Sequence, residues 1–534
     1  MAFAGPVSAT EQAEADEVGA GALGAALALY AVGGLARLVP LLDIGGRLFR
    51  QFPTEDGYLM LTIARNIALG HGMSVSGGLQ PTNGTQPLAT LLWAGVFELV
   101  GGDRRLGVLG VQLLEATCAS IAAWLLWRLA RRIYAGRPRG GAAALLVSAA
   151  WFASPIVVMH SMNCLESGLY ALLIVSVLLV FADSGFRERW SWTRCTGAGA
   201  LLGAAFWARN DAVFLVLGAC IAHASSGFGS GVFLRRRFAE ATVIGSTSVA
   251  VAVPWLVFNQ LRFGAIVPIS GRSEAMESQL GENLAKLPSA VFEYATLYLP
   301  IPSGYEESPW VVAGACLSVL ALAGLAHHAL RSRDPIVRSL ATLGSIFAVC
   351  LLAFYGMSFG AGYFMSRYMF ALSPLLALLV GAVARRGWVG LASSELRWVP
   401  GAFAAGLVLL ASGLDARLYA KGTSHMHFQV VDWVQKNVSD DTWVAAPQSG
   451  TLGFFHDRTV NLDGKVNPVA LAARSRGEVD RYLVESREIQ YLADWEGLAA
   501  WAKQPVISTQ FELVVDDPEH NLAVLRRRAV ASGS

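Results

Sequence analysis

The chain has 534 residues, 54% hydrophobic and 15% charged, with a mean hydropathy of +0.47; this is too apolar for a soluble globular protein and suits one that crosses a membrane many times. A net charge of +2, with no basic stretch interleaved with aromatics, excludes a nucleic-acid binder. The six cysteines, at 118, 164, 195, 220, 316 and 350, sit in or beside apolar segments without C-x-x-C spacing, which argues against zinc ligation and a disulfide framework.

Residues 1–19 carry Glu11, Glu14, Asp16 and Glu17 and no Lys or Arg, the wrong charge for the leading region of a secretory signal. The apolar segment that follows is therefore expected to remain as an anchor behind a cytoplasmic tail. A span needs about 20 apolar residues. By that length the sequence predicts about eleven, near 20–42, 106–130, 141–159, 165–182, 195–208, 212–226, 239–258, 310–330, 338–357, 366–384 and 398–415. The short pair at 195–208 and 212–226 is interrupted by Arg209, Asn210 and Asp211, as at a tight turn on one membrane face.

The segment 86-QPLATLLWAGVFELVG-101 decides the orientation of everything after it. If it lies along the interface, the loops after the even-numbered spans fall on one side. Those loops, RLARRIYAGRPR, FRERWSWTR, FLRRRF, RSRDPIVR and ARR with ELR, hold about 17 Arg, against about five Lys and Arg in the intervening connections. Such asymmetry makes the basic loops cytoplasmic. The loop 43–105 and everything after residue 415 are then outside.

In that first outer loop, Leu59, Ile63 and Ile67 recur at helical spacing over 56–70 while Thr62, Arg65 and Asn66 occupy another face, the pattern of an interfacial helix. The stretch 76-SGGLQPTNGTQP-87 reads as a turning loop. A second outer loop, about 259–309, contains GRSEAMESQLGENLAK and has the length of a lid or of a plain connection. Residues 416–534 read as a small α/β domain: helix FQVVDWVQKNV, strand TWVAAP, turn SGTLGFF, strand TVNLDG and a terminal hairpin of FELVVDD with NLAVLRR. The expected fold class is an all-α multispanning membrane protein with a transmembrane domain over 20–415 and a small α/β extracytoplasmic C-terminal domain.

The polar residues gather on the outer face. Glu55 and Asp56 follow span 1, Asn163 and Glu166 join spans 3 and 4, Arg209 and Asp211 join spans 5 and 6, and Arg367 opens span 10. Carboxylates with Arg at a membrane boundary suit glycosyl transfer from a lipid phosphate: a carboxylate takes the proton of the attacking hydroxyl, and guanidinium groups bind the departing phosphate. Taken singly, each residue has an ordinary reading as a helix cap or a headgroup anchor. A transporter or flippase of a lipid-linked sugar is the alternative, but it would favour polar residues near midplane and related halves. A non-catalytic subunit of an envelope-polymer assembly is a third reading. Glu115, well inside span 2, is an intramembrane acid that is either functional or neutral, or paired with Arg37.

The run EDGYLMLTIARNIALGHGMSV…PTNGTQPLATLLWA resembles the first outer loop of GT-C membrane glycosyltransferases, which include protein O-mannosyltransferases, lipid A aminoarabinose transferases and mycobacterial arabinofuranosyltransferases. NCLESGLYALL, FWARNDAVFL, PWLVFNQLRFGAIVPIS, SRYMFALSPLL and the tail's VAAPQSGTLGFFHDRTVNLDGKVNP extend the resemblance in pieces over nearly the whole chain. It implies a polyprenyl-phosphate sugar donor, an extracytoplasmic glycan, lipid or protein acceptor, and an inverting displacement with Asp56 as the base and Glu55 beside it. Glu166, Asp211 and Asn83 are implied to bind substrate. Aminoarabinose transferases have a phosphate-contacting Lys near the second interfacial helix where this chain has Gln86. Phosphate binding is therefore expected of Arg367 and Arg209, then Arg65 or Arg272. With one carboxylate at the base position and no D-x-D, a required metal is not expected. The tail is expected to bind or orient the acceptor.

Overall fold

The computed structural model describes residues 18–183, 189–226, 234–297, 308–391, 394–421 and 427–529. Most of the expected cytoplasmic tail 1–19, part of the basic loop FRERWSWTR and the end of the second outer loop lie outside the described residues. Each of the eleven expected spans corresponds to a helix. Among the described residues seven helices are long and apolar enough to cross a membrane. They are α1 (Ala20–Leu38, continued by a 3-10 turn to Leu42), α4 (Arg104–Tyr134), α10 (Leu234–Phe263), α13 (Pro309–Leu330), α14 (Pro335–Met357), a helix from Met365 to Leu391 whose main part is α15 (Ser373–Leu391), and α16 (Val399–Lys421). The chain is an integral membrane protein.

A further candidate span is bent. Helices α5 (Gly140–Ala153) and α6 (Pro155–Ser161) meet at 60°, because Pro155 has no N–H to continue the first helix and is well suited to begin the second. The shorter segments are α7 (Ser167–Asp183), α8 (Trp192–Ala208) and α9 (Val213–Ser225). Helices α8 and α10 pack closely: a Cβ on Gly199 would meet the Ile244 carbonyl oxygen at 2.5 Å, and one on Gly203 the Val251 side chain at 2.5 Å. Small residues four apart let two backbones approach in a membrane.

The first outer loop holds α2 (Glu55–Ala68) and α3 (Pro87–Leu99). At 13 residues, α3 is about 20 Å long, too short to span the hydrocarbon core. The second outer loop is not a loose connection over its described part: α11 (Ile269–Glu277) and α12 (Leu287–Thr296) form there.

The C-terminal domain carries a five-stranded sheet. Strands β1 (Trp443–Ala446), β2 (Thr459–Asn461) and β3 (Ile489–Asp494) are parallel, and β4 (Phe511–Asp517) and β5 (Leu522–Arg527) form the antiparallel hairpin, in the order β2-β1-β3-β5-β4. Register places Val444 beside Thr459 and Leu492 beside Leu525. Alternate residues face opposite sides. Val444, Ala446, Ala493 and Val524 pack under the helix α17 (Phe428–Asn437) through Val430, Val431 and Val434. Ala445, Leu492, Ala523 and Leu525 form the other core with Leu483 and Ile507. Both faces are covered, as a sheet with parallel strands requires.

One expectation fails here. The stretch read as a turn, SGTLGFF, is a helix, α18 (Gly450–Phe455). Phe454 at its end is buried with Tyr58, Trp93 and Phe97 of the first outer loop, which seats the C-terminal domain on α2 and α3. Arg104 donates through Nε to the Phe454 carbonyl at 2.7 Å and pairs with Asp457 at 2.9 Å.

Candidate active site

The acidic pair opens α2. Thr54 is its N-cap, with Oγ1 accepting from the Gly57 N–H at 3.1 Å, so Glu55 and Asp56 stand in the first turn, where free N–H groups and the helix dipole favour anions. Gly57 is required by a close approach: a Cβ there would collide with the Asn163 carbonyl. The Thr54 N–H donates to that same carbonyl at 3.4 Å. The loop 160–166 is thus held against the start of α2.

Asp56 meets cations from two distant parts of the chain. Arg367 Nη1 donates to Oδ2 at 2.7 Å, and Lys465 Nζ lies 3.7 Å from Oδ1 and 2.9 Å from Oε1 of Glu274 on α11. All four side chains retain some access, 20% for Asp56, 19% for Arg367 and 12% for Lys465 and Glu274. Burial alone would push the Asp56 carboxyl up, but Lys465 and Arg367 hold it down at about 2. Lys465 is itself held above the ordinary ammonium range despite its burial by Asp56 and Glu274. Its position is set by Gly84, since a Cβ there would collide with the Lys465 carbonyl, and by the turn in which Asp463 Oδ1 accepts from the Lys465 N–H at 2.8 Å.

Glu55 turns the other way, toward the C-terminal domain. Its Oε1 accepts from the Gly450 N–H, and its Oε2 accepts from the Thr451 N–H at 2.9 Å and Thr451 Oγ1 at 2.6 Å. His427 Nδ1 lies 3.6 Å from the same carboxylate. Both oxygens are engaged in fixing α18, so Glu55, expected beside Asp56 in the chemistry, is placed as a tie between loop and tail. Behind it, Asp494 accepts from the Gln448 N–H at 2.7 Å and is raised to about 7 by burial, with Glu55 adding to the rise.

The remaining expected residues fall into three groups. Glu166, Arg209 and Asp211 form a buried cluster: Arg209 donates to Glu166 at 2.6 Å, to Asp211 at 2.9 and 3.0 Å and to the Tyr355 hydroxyl at 2.8 Å, and that hydroxyl donates to Asp211 at 2.6 Å. Tyr355 stacks on Tyr368 at 4.1 Å, the neighbour of Arg367, so the two clusters adjoin. Arg65 lies nine residues along α2 from Asp56, about 14 Å away, where it donates to the Gly102 carbonyl at 2.8 Å and pairs with Asp457. Asn83 is committed elsewhere: its Nδ2 donates to Asn259 at 3.0 Å and its Oδ1 accepts from the Ile269 N–H at 3.2 Å. Arg272 is exposed, two residues from Glu274 on α11.

Glu115 is buried but does not pair with Arg37. Arg37 donates instead to the Gly33 and Phe152 carbonyls at 2.9 and 2.8 Å, with Asp415 of α16 as its electrostatic partner. Among the described residues no group of three His, Cys, Asp or Glu is arranged to hold a metal ion.

Lys465 and Glu274 were not among the expected site residues. A local signal existed for one: Lys465 stands in the VNLDGKVNP stretch, where a turn rich in Gly, Asp and Asn places a cation outside the sheet.

Residues 83–258 match the family described as dolichyl-phosphate-mannose-protein mannosyltransferase, and residues 417–527 match a domain of unknown function. No curated protein matches the chain. The structure is similar to that of ArnT from Cupriavidus metallidurans bound to undecaprenyl phosphate, with a TM-score of 0.59, 14% identity, and coverage of 95% of this chain and 99% of that one. It is also similar to the oligosaccharyltransferase AglB from Archaeoglobus fulgidus in complex with an inhibitory peptide and a dolichol-phosphate, with a TM-score of 0.55, 12% identity, and coverage of 94% and 74%. The fold is that of the GT-C membrane glycosyltransferases, as the resemblance of the first outer loop implies.

Proposed function

We propose that this chain, which has the GT-C membrane glycosyltransferase fold, transfers a sugar from a polyprenyl-phosphate donor to a hydroxyl-bearing acceptor outside the cytoplasm, with Asp56 as the general base. The observation that carries this reading is the half-open ion cluster of Asp56, Arg367, Lys465 and Glu274. An ionised carboxylate there accepts the proton as the acceptor oxygen attacks the anomeric carbon. The bond from that carbon to the phosphate oxygen breaks, and its electron pair leaves with the polyprenyl phosphate. Arg367 and Lys465 stabilise the charge that grows on the phosphate, exchanging part of their contact with Asp56 for it. A single displacement of this kind inverts the anomeric carbon.

Support comes from the family matched over 83–258 and from the undecaprenyl phosphate and dolichol-phosphate named for the two similar structures. Arg209, Glu166 and Asp211 then act as the support beneath Tyr368 and Arg367, and Glu55 as a positioning residue. The Arg-rich loops support an orientation with this site and the C-terminal domain outside, opposite a cytoplasmic amino terminus.

The test is to supply the purified chain in lipid with a panel of polyprenyl-phosphate sugars and cell-envelope acceptors and to follow release of polyprenyl phosphate together with product mass. Transfer from at least one donor is expected. Movement of intact lipid-linked sugar across the bilayer with no glycosylated product would replace the enzyme by a transporter.

A further inference from the structure

At the end of the membrane domain remote from Asp56, the walls of α4, α13, α14 and α15 leave an apolar groove of about 360 Å³, within the range of ligand pockets, about 300–1,000 Å³. Its direction follows from the chain. Helix α14 ends at Met357, beside Tyr355 of the buried cluster, and α15 begins a few residues after Arg367. The end of the groove bounded by Val337 and Arg386 therefore faces the opposite membrane surface.

The lining is aliphatic except for Arg137, Arg386, His328 and two serines, and the three basic residues all lie at that remote end. Arg385 and Arg139 join them: Arg385 Nη1 donates to the Pro138 carbonyl at 3.1 Å, and the Arg139 guanidinium lies 4.9 Å from the centre of the Trp388 ring. Arg386 Nη2 is 3.0 Å from His328 Nε2. Among the described residues none of these four arginines is in an ion pair. Asp334, at the same end, uses its carboxylate to cap the N–H of Ile336 at 2.9 Å. Four guanidinium groups collected without a carboxylate repel one another unless an anion joins them.

We propose that this groove binds an anionic glycerophospholipid, its acyl chain along the aliphatic walls and its phosphate on Arg137 and Arg386. The chemistry is complementary at both ends: basic pockets between spans capture anionic headgroups, guanidinium grips phosphate in bidentate fashion, and an acyl chain fills what would otherwise be a void between helices. The sugar donor is a different ligand, because its phosphate belongs at the Asp56 end. The inference does not rest on the transfer reaction and survives if that reading fails.

The test is native mass spectrometry of the full chain in detergent, titrated with phosphatidylglycerol or phosphatidylcholine of matched acyl chains. Phosphatidylglycerol should bind about tenfold more tightly. The double substitution Arg137→Gln with Arg386→Gln should abolish that preference, whereas Arg331→Gln, at an exposed position of the same end outside the groove, should keep it. Ala341→Phe, which fills the groove, should weaken both lipids alike. Equal binding of the two lipids to the native chain would overturn the proposal. So would a preference retained in the double variant, phosphatidylglycerol binding untouched by Ala341→Phe, or inorganic phosphate competing as well as the whole lipid. Competitive displacement by polyprenyl phosphate would give the groove to the donor's chain instead.

Discussion

Two charge clusters lie side by side at the end of the membrane domain that carries the C-terminal domain, and they are built on opposite principles. In the cluster of Glu166, Arg209, Asp211 and Tyr355, the guanidinium donates to two carboxylates and a hydroxyl, and the Arg209 and Asp211 side chains are only 9% and 3% exposed. In the cluster of Asp56, Arg367, Lys465 and Glu274, contacts are fewer, one is 3.7 Å long, and Asp56 keeps 20% of its surface. A buried cluster whose cation is engaged by several partners is expensive to disturb. An open one can trade a contact within the protein for one with substrate at little cost. The same residue types, Asp, Glu and Arg, thus make a closed cluster in one place and a candidate reaction centre beside it.

The contrast fails first, and most visibly, at Arg209. Arg209→Met should destabilise the protein by about 3–5 kcal/mol, because two carboxylates are left buried without their cation; unfolding in lipid or detergent measures it, and a variant as stable as the parent would make the closed cluster dispensable. Glu55→Ala strips the acceptor from the Gly450 and Thr451 amides and should weaken docking of the C-terminal domain by about 2 kcal/mol. Faster hydrogen exchange over 448–456, with the membrane helices unaffected, is the expected signature. Unchanged protection there would show that Phe454 alone seats the domain.

Lys465→Met separates binding from ionisation. Donor affinity should fall about tenfold, the scale of one charged hydrogen bond. In the native chain Asp56, held at about 2, should show no acid limb in turnover between pH 4 and 8. Without the ammonium its pKa should rise toward the ordinary value near 4, and a limb should enter from the acid side. Because the folded-state pKa is depressed, the pairing contributes stability above the unfolded value and loses it as pH falls through about 2. A pH profile of Lys465→Met that overlays the native one would remove Lys465 from the surroundings of the base.

The smallest effect concerns Asp494, whose carboxyl is raised to about 7 by burial. The folded state then holds a proton that the unfolded chain has released. Its contribution is full below the ordinary carboxylate value near 4 and is lost as pH rises through about 7. Protection of the Gln448 amide should decline across that window and become flat in Asp494→Asn. A decline that persists in the variant would point to another group.

The membrane domain was legible because apolar length and loop charge are local properties: each of the eleven segments could be read from its own run of residues, and each forms a helix. That Pro87–Leu99 is too short to span followed in the same way, and it forms a helix of 13 residues. Half of the candidate site was legible for a related reason, since Asp56 and Arg367 each adjoin a span end. The other half was not. Lys465 reaches Asp56 from a position 409 residues away in sequence, and Glu274 joins the cluster only through Lys465; nothing in their own stretches says which way the C-terminal domain docks. Gly450–Phe455 was read as a turn because its two glycines disfavour a helix. What stabilises it is Glu55, a capping carboxylate supplied from the other end of the chain.

Asp56→Asn tests the central claim most directly. It keeps the size of the side chain and the partners of one oxygen while removing the basic carboxylate. Turnover and donor affinity should be measured together on the variant in lipid, with the transferring donor. Turnover is expected to fall by about 10²-fold or more, the scale of a lost general base, while the donor still binds and the variant remains folded. Near-normal transfer by Asp56→Asn in a folded protein would contradict the account and dismiss the open cluster from the chemistry.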